Sequence, residues 1–277
     1  MVECTPESSN MPELPELQVI SERLTDLLRG HSLTKVSVHN HIVVHGRTVE
    51  DFSSTAIGET FERVEADGKF LILMLNQHDI VINPMLTGRF RVFERYKKPT
   101  SIDMVSIQTD GPALWYSDTK KMGRVYLVPK GDYSIVAGFA NRGPSALDPT
   151  LTVEAFMQRL KFHNGQIKNV LRNQRFVKGI GNAYADEILL YAGILPFRKR
   201  SSLSHQETEQ LYQSVRNVLT RIREILAERS LDEISKEKRD FLMIHNKGGG
   251  ICPLCGGRVS EVHANRFKTN YCQSCQK

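Results

Sequence analysis

Cysteine is scarce and long apolar runs are missing, and both shortages exclude something. Of 277 residues only 5 are cysteine, and four of these fall after residue 250. A disulfide framework cannot staple the body of such a chain, which has length enough to bury a core of its own. No stretch approaches the roughly 20 apolar residues of a membrane-spanning helix, so no membrane partner is expected. Met1 to Asn10 are polar and lack the basic start and apolar run of a secretory signal. The expectation is a protein that is not secreted and works in a reducing compartment, the cytoplasm or nucleoid of a bacterium or the nucleus of a eukaryote.

What is present begins with charge. The net +6 divides unevenly: residues 1–150 hold 16 Lys+Arg against 19 Asp+Glu, a balance of −3, and residues 151–277 hold 21 against 12, a balance of +9. Positive charge gathered in one half favours a polyanion partner, because neutralising phosphates releases condensed counterions. Composition leaves other partners open.

Three kinds of patterning follow one another. After Asn10, Leu17, Ile20, Leu24, Leu27 and Leu28 recur at helical spacing, with Pro15 at the start and Gly30 at the end, predicting a helix over 15–29 with one buried stripe. From about 33 to 130, short β-rich runs alternate with turn residues. Examples are Leu33–Val38, Phe70–Leu75, Asp79–Ile82, Phe90–Phe93, Met104–Gln108 and Leu114–Tyr116, and six or more such short strands favour a sandwich over a parallel sheet. Past a linker at 143–150 the chain turns helical, at Leu151–Phe162, Gln166–Arg172, Ala183–Tyr191 and Ser204 to about Glu228. The last helix opens on a capping box, Ser204 with Glu207.

The strongest local signal is Cys252-x2-Cys255-x16-Cys272-x2-Cys275. Two tight thiolate pairs close a tetrahedral shell around one Zn²⁺, and four sulfurs leave no open position, so the site reads as structural. A fifth cysteine, Cys4, stands alone. Between the pairs lie Arg258, His263, Arg266 and Lys268, which form either a cationic grip on a phosphate backbone or a merely solvated turn. A second signal is the glycine-rich turn Gly179-Ile180-Gly181-Asn182, opening a helix. It is either a phosphate grip made of backbone N–H groups or plain punctuation. No strand leads into it, which excludes a dinucleotide-binding turn. The third is Met11-Pro12-Glu13-Leu14-Pro15-Glu16, on its own a proline-rich lead-in whose carboxylates favour the helix's positive end.

Taken in order along the chain, Pro-Glu-Leu-Pro-Glu, Gly-Ile-Gly-Asn-x-Tyr-x-x-Glu and a terminal four-cysteine finger resemble the formamidopyrimidine-DNA glycosylase and endonuclease VIII family. Asp67-Gly68-Lys69-Phe70, Gly143-Pro144 and Ala192-Gly193-Ile194-Leu195-Pro196 add to the likeness, which covers residues 11–277. The resemblance implies an α+β multidomain protein. Residues 1–11 would be an extension or a misplaced start, and 12–142 a catalytic β-sandwich domain with a flanking helix. A helix-two-turn-helix DNA-binding domain would follow at 150–245, and a zinc finger at 246–277. It further implies a monomer that excises oxidised bases from damaged, double-stranded DNA and then cuts the strand, with DNA lying across a positive cleft between the two halves.

Site roles follow from the same resemblance. The amine of Pro12 would attack C1′ of the damaged nucleotide, Glu13 would serve as the acid–base residue, and Glu16 would support it at the helix start on the DNA side. Lys69 matches a strand lysine beside the lesion phosphate. Asn182 matches a phosphate-holding asparagine. Leu86 stands where a wedge fills the gap left by an extruded nucleotide, and Lys120 and Lys121 stand in a second wedge loop. This chain departs from the pattern in that loop, with lysines for an arginine pair and Met122 for phenylalanine. It departs again in the hairpin, where Phe267 stands five residues before the third cysteine in place of an arginine. Arg266 and Lys268 are the two candidates for that role. Two rivals remain: a family member that binds damaged DNA without catalysis, because Met1–Met11 lock the Pro12 nitrogen in a peptide bond, and a zinc-ribbon scaffold binding RNA or a protein.

Overall fold

Pro15 sits in the first turn of a helix, where its missing N–H costs nothing, and Gly30 ends the helix at φ 82°. The computed structural model describes residues 11–94, 97–236, 238–264 and 267–277; Arg266 and Cys4 lie outside the described residues. Along the chain run α1 (Leu14–Leu28), β1 (Leu33–Val38), β2 (Val44–His45), α2 (Val49–Thr55), β3 (Phe61–Asp67), β4 (Phe70–Leu75) and β5 (His78–Asn83). Next come β6 (Gly88–Phe93), β7 (Asp103–Thr109), β8 (Ala113–Asp118), β9 (Arg124–Pro129), α3 (Val153–Lys161), α4 (Ile167–Leu171) and α5 (Asn182–Ala192). The chain closes with α6 (His205–Ala227), α7 (Leu231–Ser235), β10 (Val259–Ala264) and β11 (Phe267–Cys272).

Two compact units result. Of the described residues, one holds 11–12, Ile20–Val136 and 231–236; the other holds Glu13–Val19, Ala137–Ser230 and Lys238–Lys277. In the first, strands order as β2-β9-β5-β4-β3 and β1-β7-β8-β6, antiparallel throughout except for the short β2–β9 pair. The apolar run of β4 is buried almost along its length, as is β8, which is how strands read when both faces are covered. The six expected runs all form strands. Three further strands of this unit, β2, β3 and β9, lie outside those runs: β2 is only two residues long, and charges interrupt Phe-Glu-Arg-Val-Glu-Ala-Asp in β3. The short helix α7 belongs to this unit, its Ser235 hydroxyl donating to the Phe90 carbonyl at 2.6 Å. The expected stripe of α1 is buried at Leu17, Ile20, Leu24 and Leu28, but Leu27 is 43% exposed. Leu27 stands in the last turn at the outer edge of that stripe, farther from its centre than the four buried residues.

In the second unit the helices pack on Phe156, Phe176, Tyr184, Leu189, Leu211, Val215 and Leu219, all fully enclosed. Each such side chain is worth about 1.5–3 kcal/mol of burial. The Ser204–Glu207 capping box forms as expected at the start of α6. Hairpin β10–β11 carries the four cysteines at its base and shares a small core, Leu190, Ile244, Cys252, Val259 and Cys272, with the helices. Among the described residues no helix is long and apolar enough to cross a membrane.

Candidate active site and nucleic-acid interface

The Glu13 carboxylate is the anchor of the second unit's polar centre. It accepts from the backbone N–H of Gly181 at 2.5 Å and of Ala183 at 3.0 Å, residues about 170 positions further along the chain. The Leu14 N–H donates to the Gly179 carbonyl at 3.0 Å. These contacts explain both glycines. A Cβ on Gly181 would stand 2.4 Å from the Glu13 carboxyl carbon, and Gly179 combines φ 101° with a would-be contact of 2.6 Å to Leu14. The turn is therefore shaped around the carboxylate and is more than punctuation.

Glu16, one turn further on, accepts from the Glu13 N–H at 3.2 Å and from the Tyr184 hydroxyl, and lies 2.6 Å from the Arg239 guanidinium. Arg239 also stands 5.2 Å over the Tyr184 ring. Burial pushes the Glu13 pKa above the usual carboxylate range; Arg239 opposes this, Glu16 reinforces it, and the two backbone donors oppose it. Burial likewise pushes the Tyr184 phenol well up, with Glu16 adding to the effect. Glu16 is thus ion-paired to an arginine and accepts from a phenol, while burial inclines Glu13 to hold its proton. A buried carboxyl group with raised proton affinity is suited to acid–base work. Arg239 had no signal in the sequence, since it lies in an irregular segment and owes its role to a distant partner.

Asn182 opens α5. Its amide nitrogen donates to the Lys268 carbonyl at 3.0 Å, so this side chain ties the turn to the hairpin and keeps one N–H to spare. Below it lies a buried network that sequence reasoning missed. The Lys168 ammonium donates to Thr269 Oγ1 at 2.9 Å and to the Lys268 carbonyl at 3.0 Å, and lies 2.6 Å from Asp186. Asp186 in turn meets His245 Nδ1 at 2.8 Å and accepts from the Asn270 N–H at 3.1 Å. Glu187 accepts from the N–H groups of Met243, Ile244 and His245, each at 2.9 Å. The available clue was Asp186-Glu187, an acidic pair inside an apolar helix, which buried partners must satisfy. The Lys268 ammonium lies 3.5 Å from Glu261.

The four cysteines are unpaired as disulfides. Their sulfurs all lie within 4.8 Å of one another, with Cys252–Cys275 at 3.8 Å and Cys255–Cys272 at 3.5 Å. A tetrahedral thiolate site with Zn–S bonds of about 2.3 Å separates its sulfurs by about 3.8 Å, so the donor set has the size and chemistry of a closed structural metal site.

The remaining expected site residues belong to the first unit. Pro12 is buried. Lys69 is half-buried and sits in the turn between β3 and β4, one residue short of the strand position expected for it. Leu86, half-buried, lies in the turn before β6, and Lys120 and Lys121 are exposed in the loop after β8. Asp118 joins these two loops. Its carboxylate accepts from the Thr87 hydroxyl, from the Lys120 N–H at 3.1 Å and from the Gly123 N–H at 2.7 Å, while Thr87 Oγ1 accepts from the Lys120 N–H at 3.0 Å. Met85 and Lys121 both take left-handed backbone, φ 50° and 53°, at the tips so formed.

Known proteins share this arrangement. Residues 11–125 match the formamidopyrimidine-DNA glycosylase N-terminal domain, and residues 142–230 match the H2TH domain of formamidopyrimidine-DNA glycosylase. The enzyme so named from Moorella thermoacetica is 33% identical over 91% of this chain and 94% of its own, and that from Enterococcus faecalis is 31% identical over 96% and 98%. Among solved structures, the complex between Lactococcus lactis Fpg and an abasic site containing DNA superposes with a TM-score of 0.87 at 22% identity, covering 96% of this chain and 99% of that one. A free-standing zinc ribbon would match neither the N-terminal nor the H2TH domain. With both domains matched in order and relatives aligned along nearly their whole length, the chain belongs to the formamidopyrimidine-DNA glycosylase family.

Proposed function

We propose that this chain is a bifunctional DNA glycosylase and abasic-site lyase of base excision repair, acting on oxidised bases in double-stranded DNA. The observation that carries the reading is the Glu13 carboxyl group, buried on the Gly181 turn beside the Arg239-paired Glu16 and directly following Pro12 in the chain. The neutral Pro12 nitrogen attacks C1′, the base departs with the glycosidic electron pair, and Glu13 protonates the sugar ring oxygen as the ring opens. The resulting iminium acidifies C2′; loss of that proton expels the 3′ phosphate, and a second elimination expels the 5′ phosphate. Hydrolysis of the iminium restores the amine. In this reading Lys69 contacts the lesion phosphate, Leu86, Lys120 and Lys121 enter the gap, and Asn182, Lys268 and Arg266 hold the backbone. The unit bounds 12–142, 150–245 and 246–277 are read as catalytic domain, DNA-binding domain and zinc finger.

The four-cysteine cluster takes one structural Zn²⁺, whose contribution is to hold the hairpin that carries Lys268. Metal analysis should find one equivalent per chain. Cys255→Ser should release it and weaken DNA binding while leaving the sandwich folded; metal content below about half an equivalent counts against a single four-thiolate site.

The chemistry needs a free Pro12 amine, and acylation by Met11 ends its nucleophilicity by drawing the lone pair into the amide. The active form therefore begins at Pro12, by initiation at Met11 with methionine removal or by trimming. Borohydride should trap protein beginning at Pro12 on duplex DNA with an abasic site, and should not trap chain retaining Met1–Met11. Equal trapping by both, with the extension verified by intact mass, rejects Pro12 as nucleophile. Binding without trapping by either form favours a non-catalytic damage binder.

A further inference from the structure

Lys168 and Lys268, two of the cations gathered where α4, the Gly181 turn and the hairpin meet, are already engaged by Asp186 and Glu261. Arg172 is different. It is the half-buried residue that caps the C-terminal end of α4, and among the described residues its guanidinium has neither a hydrogen bond nor an ion pair. It is not loose, however: the guanidinium carbon stands 3.6 Å from the centroid of the Phe267 ring. A planar cation laid on an aromatic face is held in orientation while its N–H donors stay unspent. Phe267 opens β11 and is itself 43% exposed, so the stack lies at the protein surface. The next residue, Lys268, gives its carbonyl to Asn182, which places the stack one residue from the turn that opens α5. Burial lowers the Arg172 pKa, whereas Glu13 and Asp186 support its charge, and Arg172 in turn depresses Lys168. Glu13 is held by the Gly181 and Ala183 N–H groups and Asp186 is paired with Lys168 and His245, and neither forms an ion pair with the guanidinium.

From the Arg172–Phe267 stack we infer that Arg172 is a DNA phosphate ligand, supplied from α4 and held in register by the hairpin ring. The inference rests on the proposed DNA-binding function. Its chemistry is the forked donation of a guanidinium to a phosphodiester, which carries no base information and adds to affinity uniformly. The zinc hairpin then contributes to DNA binding by offering a flat ring on which a cation from another element lies, and not solely by its own lysine.

The test is the salt dependence of binding to a duplex carrying a tetrahydrofuran abasic analogue, with zinc content and thermal unfolding measured on the same samples. Wild type should bind with a steep slope of log Kd against log salt. Arg172→Ala should weaken binding about tenfold and flatten the slope by about one, as loss of one phosphate contact requires, with zinc retained. Arg172→Lys should keep the slope and lose part of the affinity, since it preserves charge without the planar stack. If Arg172→Ala does not fold, Arg172→Gln, which keeps length and planarity, carries the same comparison. An unchanged slope in the neutral variants, or affinity lost only in proportion to lost zinc and lowered Tm, shows that the stack merely braces the hairpin and overturns the inference. Wild type that fails to bind the duplex at all overturns the proposed function as well, which separates the two failures.

Discussion

Glu13 and Asp118 do the same mechanical task in different units of the molecule. Each is a buried carboxylate that gathers backbone N–H groups and so sets the shape of a glycine-containing turn: Gly181 and Ala183 for Glu13, Lys120 and Gly123 for Asp118. Their surroundings differ. Asp118 also takes the Thr87 hydroxyl and so ties two loops together. Glu13 has a second carboxylate nearby and is enclosed deeply enough that burial raises its proton affinity against the pull of Arg239 and two N–H donors. In the proposed mechanism Glu13 also moves a proton, which its raised proton affinity suits. The comparison separates shaping from chemistry.

The largest expected effect comes from Glu13→Gln. The amide oxygen still accepts one hydrogen bond, so the turn survives, while base excision should fall by about 10²-fold or more, the scale of a lost acid–base group. Borohydride trapping at a pre-formed abasic site should fall much less, because no base must depart. Normal excision by this variant would erase the distinction between the two carboxylates. Asp118→Ala should act the other way. It strands the Gly123 and Lys120 N–H groups of one loop and frees the Thr87 hydroxyl of the other, and should cost about 1–3 kcal/mol of stability, read by thermal unfolding, with excision weakened mainly through KM. A drop in kcat with KM unchanged would show that Asp118 belongs with the chemistry.

A smaller effect concerns pH. Since the folded-state pKa of Glu13 lies above its unfolded value, its contribution to stability is fully present below about pH 4.3 and is lost as pH rises through the elevated value. Glu13→Gln lacks this loss, so the variant should gain on wild type as pH rises from 4 toward 8 in parallel denaturant titrations. A Glu13→Gln difference that stays flat would remove the argument that burial dominates there. The smallest expected effect is on Lys69→Ala, which should slow excision by roughly tenfold or less, the scale of one lost phosphate contact, and leave iminium trapping intact.

How much of this was legible beforehand depended on whether the determining contacts were local. The capping box of α6, the strand Leu33–Val38 and the paired cysteines are set by neighbours a few residues apart, and each stands in the structure where the sequence places it. The spacing of glycines 179 and 181 was visible, but its reason was not, because the groups that need the space are Leu14, against Gly179, and Glu13, 168 residues from Gly181. Arg239 beside Glu16, Lys168 beside Asp186, and Arg172 on Phe267 were invisible for the same reason. Each pairs residues of ordinary type whose meaning depends on burial and on a distant partner. Local propensity and periodicity are short-range quantities, and so the sequence by itself determined the elements, the metal-site spacing and the motifs that mark the family. Only tertiary structure decided which carboxylates are enclosed and which cations keep donors to spare, because desolvation and pairing exist only once distant segments have met.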